Sequence, residues 1–239
     1  MAEFQIKLAD QIIEISSLYT DILDMCKNYL CEEGKPDFRI VSSEEEIAFE
    51  RKKNSAQEEF SDAYLETLAV YRAIAGQMLR FSTFLIHGSV VAVAGEAFMF
   101  TAPSGVGKTT RTTMWLEQIE NSYIVNGDKP LLKVTDTEVL ACGTPWCGKE
   151  NLNTNVNVPL RAIIFLERAE KVSMKKIPFS EAFLLLLRQT YRSGKQEEMV
   201  KTLGLLKQLN RKVEFYKYDI NLEDTDMCKI YKMITGHDR

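Results

Sequence analysis

The sequence predicts an α/β protein, with a mixed-sheet core built around a glycine-bearing loop and an N-terminal α+β elaboration. Three observations predict it. Short apolar runs alternate with amphipathic helical stretches along the 239 residues. A strand-like run, Ala97-Phe98-Met99-Phe100-Thr101, passes through Ala102-Pro103-Ser104-Gly105-Val106-Gly107-Lys108-Thr109 into helix-compatible sequence. Ahead of that strand lies another, joined to it through Ala94-Gly95-Glu96 as a hairpin, so the sheet holds antiparallel as well as parallel neighbours. With no internal repeat and no low-complexity linker, residues 1–239 read as one domain, 1–83 as the elaboration and 84–239 as the core.

Taken in order, residues 4–8 and 12–15 alternate apolar and polar as short strands. Leu18, Ile22, Leu23, Cys26 and Leu30 recur at helical spacing, which predicts a helix over 18–31 ended by Gly34 and Pro36. A strand over 38–41 leads into Ser42-Ser43-Glu44-Glu45, a capping-type entry. The charged run 44–60 reads as a solvated face or mobile loop, and a helix follows over 61–80. The hairpin strands span 84–93 and 97–101, the helix after the loop 109–119, and a buried strand 123–125 ends at Asn126-Gly127-Asp128. A second hairpin joins 130–134 to 139–142, and the loop 143–151 carries Trp146 as either a substrate edge or a packed corner. A continuous apolar strand, 162–166, is central to the sheet. Helices over 180–193 and 195–210, a strand over 213–218 and a helix over 224–234 complete the chain, with leucines 184–187, 203, 205, 206 and 209 assigned to the core.

Composition narrows the function. Hydrophobic residues make up 45% and charged residues 27%, ordinary for a soluble globular chain, and the net charge of −4 draws it neither to nucleic acid nor to anionic lipid. No apolar run is long enough to span a bilayer. Five cysteines without a signal sequence read as reduced thiols in a cytoplasm, and two histidines are too few for a zinc site with them.

The loop has a specific chemistry. Small residues between a strand and a helix N-terminus let successive backbone N–H groups of Ser104, Gly105, Val106, Gly107, Lys108, Thr109 and Thr110 converge on one anion, where the helix dipole favours negative charge. In the pattern G-x-x-x-x-G-K-[ST], Lys108 neutralises the terminal phosphates and the Thr109 hydroxyl meets a Mg²⁺ bridging them, although Ala102 stands in place of the first glycine. An acidic residue at the end of the next strand holds that metal from the other side, which selects Asp128. A loop of this kind recognises phosphates alone, so ATP, GTP and pyrophosphate all remain donors by this reasoning.

His87-Gly88 before a two-strand hairpin, then residues 101–109, then a strand ending in Asp128, resembles the kinase domain of HPr kinase/phosphorylase over 84–170. The same order is similar to the nucleotide-binding core of ATP-type phosphoenolpyruvate carboxykinase, which shares that fold. The resemblance implies an ATP- and Mg²⁺-dependent kinase moving phosphate to a hydroxyl, such as a serine of a peptide, a protein or a free amino acid. It implies catalytic roles for His87, Lys108 and Asp128, and a homo-oligomer, since HPr kinase assembles as a multimer.

Two departures oppose a direct transfer of that chemistry. HPr kinase ends the strand with paired aspartates, the first a general base, and here Gly127 takes that place. Asn153-Thr154-Asn155 resembles the carboxykinase Asn-Thr-Arg segment with its arginine replaced, which leaves Lys129, Lys149, Arg111 or Arg161 to supply positive charge. Three readings follow: a hydroxyl kinase; a nucleotide-binding regulatory module impaired by Gly127; and a simple nucleotide hydrolase, which the hairpin before the loop disfavours.

Overall fold

The computed structural model describes residues 1–54, 60–192, 194–221 and 225–237. The chain divides into two compact units, Met1–Phe81 and Ser82–Arg239.

In the first unit, β1 (Ala2–Leu8) and β2 (Gln11–Ser17) form an antiparallel hairpin, and β3 (Phe38–Val41) joins β2 in parallel. Ala9 and Asp10 both take positive φ, 47° and 70°, as a two-residue turn between right-twisted strands requires. Helices α1 (Asp21–Met25), α2 (Glu44–Asn54) and α3 (Asp62–Met78) accompany this sheet. The helix expected over 18–31 is only α1 plus a 3₁₀ turn, Lys27–Tyr29. The reason is Glu66 of α3, whose fully buried carboxylate accepts from Leu18 N at 2.6 Å and Tyr19 N at 3.0 Å and so holds the first residues out of helical register. The charged run is a helix rather than a loop as far as Asn54, because Ser43 and Glu46 cap each other and Ile47 and Glu50 are buried. Residues 55–59 of that run lie outside the described residues.

The second unit holds β4 (Thr83–Leu85), β5 (Ser89–Val93), β6 (Glu96–Thr101), β7 (Tyr123–Asn126), β8 (Leu131–Val134), β9 (Val139–Cys142), β10 (Asn157–Arg168), β11 (Ser173–Lys176) and β12 (Glu214–Ile220). They make one mixed sheet in the order β4-β8-β9-β10-β6-β5-β7, with β12 on β10 and β11 on β12. The first residues of β10 pair antiparallel with β9, and the rest run parallel to both β6 and β12. Helices are α4 (Lys108–Gln118), α5 (Phe179–Gln189), α6 (Gln196–Gln208) and α7 (Met227–Thr235).

One face of the sheet is covered by α4 and α7. Trp115 of α4, fully buried, lies with its ring 5.1 Å from Phe98, 5.7 Å from Phe100 and 5.7 Å from Tyr231, which fixes α4 against β6 and so sets the loop between them. Of the leucines assigned to the core, Leu186, Leu205, Leu206 and Leu209 are buried, while Leu184 is 60% exposed. The edge strand β11 was not expected, since Ser173–Lys176 is polar and its side chains face mostly water.

The strand expected over 84–93 is broken at His87-Gly88. Before the break, β4 pairs with β8; after it, β5 pairs with β6 and β7. At the crossing the backbone passes so close to β6 that a Cβ on Gly88 would meet the Phe100 carbonyl at 2.9 Å. Apolar runs flank His87-Gly88-Ser89 on both sides, so the sequence reads as one strand there, although a glycine within a strand pattern is a mark of such a break. No helix among the described residues is long and apolar enough to cross a membrane.

Candidate functional site

Three segments meet at the carboxyl end of β6. The first is the loop 102–107 entering α4. Gly105 and Gly107 have φ of 78° and 128°, conformations that other residues rarely adopt, and Gly107 is the N-cap of α4 with no side chain closing the helix end. The N–H groups of the first turn therefore face outward, and Ser104, Thr109 and Thr110 are exposed beside them. Ala102 is buried, with no positive φ, so its methyl fits where the pattern writes glycine. Lys108 is 8% exposed and its Nζ donates to the carbonyls of Ala102 at 3.0 Å and Pro103 at 3.3 Å. Burial pushes its ammonium below the usual lysine value, and the Asp128 charge works in the opposite direction.

The second segment is the broken strand. His87 is pinned through its backbone, its N–H donating to Gln189 O at 2.8 Å and its carbonyl accepting from Thr101 Oγ1 at 2.7 Å. Its ring lies between two partners, Nε2 at 3.1 Å from Asp128 Oδ1 and Nδ1 at 3.2 Å from Gln189 Oε1.

The third is the turn after β7. Asn126, fully buried, accepts from the N–H groups of Asp128 at 2.9 Å and Lys129 at 2.6 Å and donates to Thr144 O at 2.9 Å. One amide thus shapes the turn and ties it to the loop 143–151. Asp128 Oδ2 lies 3.1 Å from Lys129 Nζ, and Gly88 N donates to the Asp128 carbonyl at 2.8 Å. Burial pushes the Asp128 carboxyl up, but the His87 hydrogen bond and the Lys129 charge outweigh it and hold the value at about 2.

The structure thus brings Lys108, Asp128 and His87 to one place, with Thr109 on the exposed first turn of α4. Of the four cations suggested for the site, Lys129 is there. Lys149 is exposed in the turn 148–151, and Arg111 is buried in α4 with Nη2 on Asn221 O at 2.7 Å. Arg161 lies at the opposite end of the parallel strands, 3.4 Å from Glu214. Trp146 is a packed corner, 7% exposed. Asn153 donates to Cys147 Sγ at 2.9 Å and so braces the same loop.

Sequence reasoning missed Gln189, Asn126 and Arg168. Gln189 lies 102 residues from its partner His87 in the chain, and nothing local marks it. Arg168, at the end of β10, donates to Gly105 O at 2.6 Å. Next to that contact is a pocket of about 760 Å³, lined among others by Val106, Thr110, Arg111, Met114, Arg168 and Ile220. Its lining is mostly apolar, with the exposed Arg168 and Glu170 among it and Arg111 buried behind, a shape with room for a flat heterocycle beside the loop.

No family model and no curated protein matches the sequence. Among solved structures the chain is similar to the HPr(Ser) kinase/phosphatase from Coxiella burnetii, with a TM-score of 0.31 and 11% identity, over 52% of this chain and 96% of that one. The likeness assigns no residue a role.

Proposed function

We propose that the chain is an ATP- and Mg²⁺-dependent phosphotransferase acting on a hydroxyl, such as a serine of a peptide, a protein or a free amino acid. The observation that supports this best is the pair of charges near the helix end: a buried ammonium, Lys108, on the open N-terminus of α4, and, close enough to act on it, the Asp128 carboxylate held by His87 and Lys129.

A polyphosphate and Mg²⁺ fit these residues. The uncapped helix end offers N–H donors, Lys108 is a buried cation beside it, and the neighbouring pocket has room for a nucleoside. Among the described residues no three His, Cys, Asp or Glu side chains gather as a metal cage, so a metal would share its shell between Thr109, Asp128 and phosphate oxygens. Bound ATP supplies the phosphoryl group and Mg²⁺ neutralises its charge. The loop N–H groups and Lys108 hold the phosphates in line and stabilise the charge that builds up on them, while Arg168 keeps the loop in shape. Asp128 stays ionised for the metal because His87 and Lys129 stabilise its charge.

The test follows label from the terminal phosphate of ATP, with Mg²⁺, into amino acids and short serine peptides. Transfer that disappears in Lys108→Ala is the expected result. Binding of ATP without transfer to any acceptor would instead support the regulatory-module reading.

A further inference from the structure

Position 127 cannot carry the missing base. A Cβ there would lie 2.5 Å from the Cys147 carbonyl oxygen and 3.4 Å from that of Leu152, so the loop 147–152 fills the space a side chain would need. The other groups at the site have roles of their own. Asp128, held by His87 and Lys129, is the carboxylate assigned to the metal, and both ring nitrogens of His87 face partners, Asp128 and Gln189.

The same loop returns a carboxylate to the site. Gly148, at φ 85°, packs against Asp128, and the point where its Cβ would stand is 3.3 Å from Asp128 Cβ, 3.8 Å from Asp128 Cγ and 3.7 Å from Glu150 Oε2. Gly148 thus has both acids beside it, and a side chain there would stand between them. Both charges also reach Cys147, whose thiol is pushed up by burial and further by Asp128 and Glu150, against the hydrogen bond from Asn153. Glu150 is exposed, and its carboxylate makes no hydrogen bond or ion pair with any described residue. It is the acid at this site left open to a substrate.

We propose that Glu150 is the catalytic carboxylate that accepts the proton of the acceptor hydroxyl, in place of the side chain that Gly127 lacks. The proposal rests on the phosphotransferase reading. In the step, the acceptor oxygen bonds to the terminal phosphorus, the bond from phosphorus to the bridging oxygen breaks, ADP leaves with that electron pair, and the hydroxyl proton passes to Glu150. Proton removal comes late in a loose transition state, so the base also orients the hydroxyl before it takes the proton.

The experiment measures transfer kinetics, ATP affinity and Mg²⁺ requirement for wild type, Glu150→Gln, Glu150→Asp and Lys108→Ala. The expected outcome for Glu150→Gln is a kcat lower by about 100-fold, with ATP affinity, Mg²⁺ requirement and melting temperature unchanged, and part of the rate restored in Glu150→Asp. A Glu150→Gln kcat within about threefold of wild type overturns the proposal and leaves the kinase reading intact. A raised Mg²⁺ requirement with kcat recovered at saturating metal overturns it as well, making Glu150 a metal ligand. If wild type binds ATP and transfers to no acceptor, the reading itself fails and takes the proposal with it.

Discussion

Substituting Gly127 tests how tightly the site is built. In Gly127→Ala the new methyl stands 2.5 Å from the Cys147 carbonyl oxygen, closer than real Cβ contacts come, so the Cys147 peptide has to retreat. It has little room to do so. Trp146 beside it is buried, Asn126 holds Thr144 O at 2.9 Å, Asn153 holds Cys147 Sγ at 2.9 Å, and Gly127 N itself donates to Leu152 O at 3.0 Å. Overpacking against a braced backbone costs about 2 kcal/mol, which lowers the melting midpoint by about 4–8 °C in a unit of this size. Gly204→Ala is the control: Gly204 lies in α6 with open space around its Cα, and alanine there gains about 1 kcal/mol of helix propensity. Both variants are followed by thermal and urea unfolding of the full chain. A Gly127→Ala midpoint within about 1 °C of wild type, with Gly204→Ala raised as expected, would refute the packing argument. The same obstruction bears on Gly127→Asp, which is expected to unfold early rather than to gain a base.

In Asp128→Asn the charge that His87 and Lys129 stabilise is lost. A carboxyl held at about 2 against 3.8 unfolded contributes about 2 kcal/mol, fully present above pH 4 and lost as pH falls through 2. Urea unfolding at pH 5 and at pH 2.5 should therefore show the gap between wild type and Asp128→Asn shrinking in acid. Lys108→Met replaces a charge held at a desolvation cost, so calorimetry should find stability unchanged within about 1 kcal/mol while ATP affinity falls by about 100-fold. Because burial lowers the Lys108 value, the folded state binds fewer protons there than the unfolded chain. Its contribution to stability therefore rises with pH below the ordinary lysine value, a slope that Lys108→Met should remove from alkaline unfolding curves. Asn126→Ala strands the N–H groups of Asp128 and Lys129 and should cost about 3 kcal/mol in urea unfolding, with phosphate transfer reduced as the turn loosens.

What could be read in advance depended on distance along the chain. The loop 102–109 and its helix are a local pattern, and Asp128 is positioned by the strand after that helix; both were legible. His87 needed a resemblance to stand out, because a histidine inside an apolar run carries no local mark. Gln189 and Glu150 were invisible for the same reason in stronger form: each acquires its place by a long-range approach, Gln189 through the end of α5 and Glu150 through a glycine that has both acids beside it. The break at His87-Gly88 was hidden by the apolar runs on either side of it, with Gly88 its one local mark, and β11 by its polarity, since an edge strand facing water leaves no apolar alternation to read. The short α1 shows tertiary override, with Glu66 taking the N–H groups of residues 18 and 19 for its own hydrogen bonds.

Strand β10 has a consequence for how the site comes into being during synthesis. Its parallel partner β6 lies some sixty residues earlier, Met99 opposite Ile163, and its antiparallel partner β9 leads into the loop that carries Glu150. Until Arg168 has left the ribosome, β6 has a bare edge and the glycine loop lacks its arginine. The two halves of the site are thus completed by one late strand, a closure of high contact order, and topologies of that kind form slowly and leave the waiting strand edge exposed meanwhile.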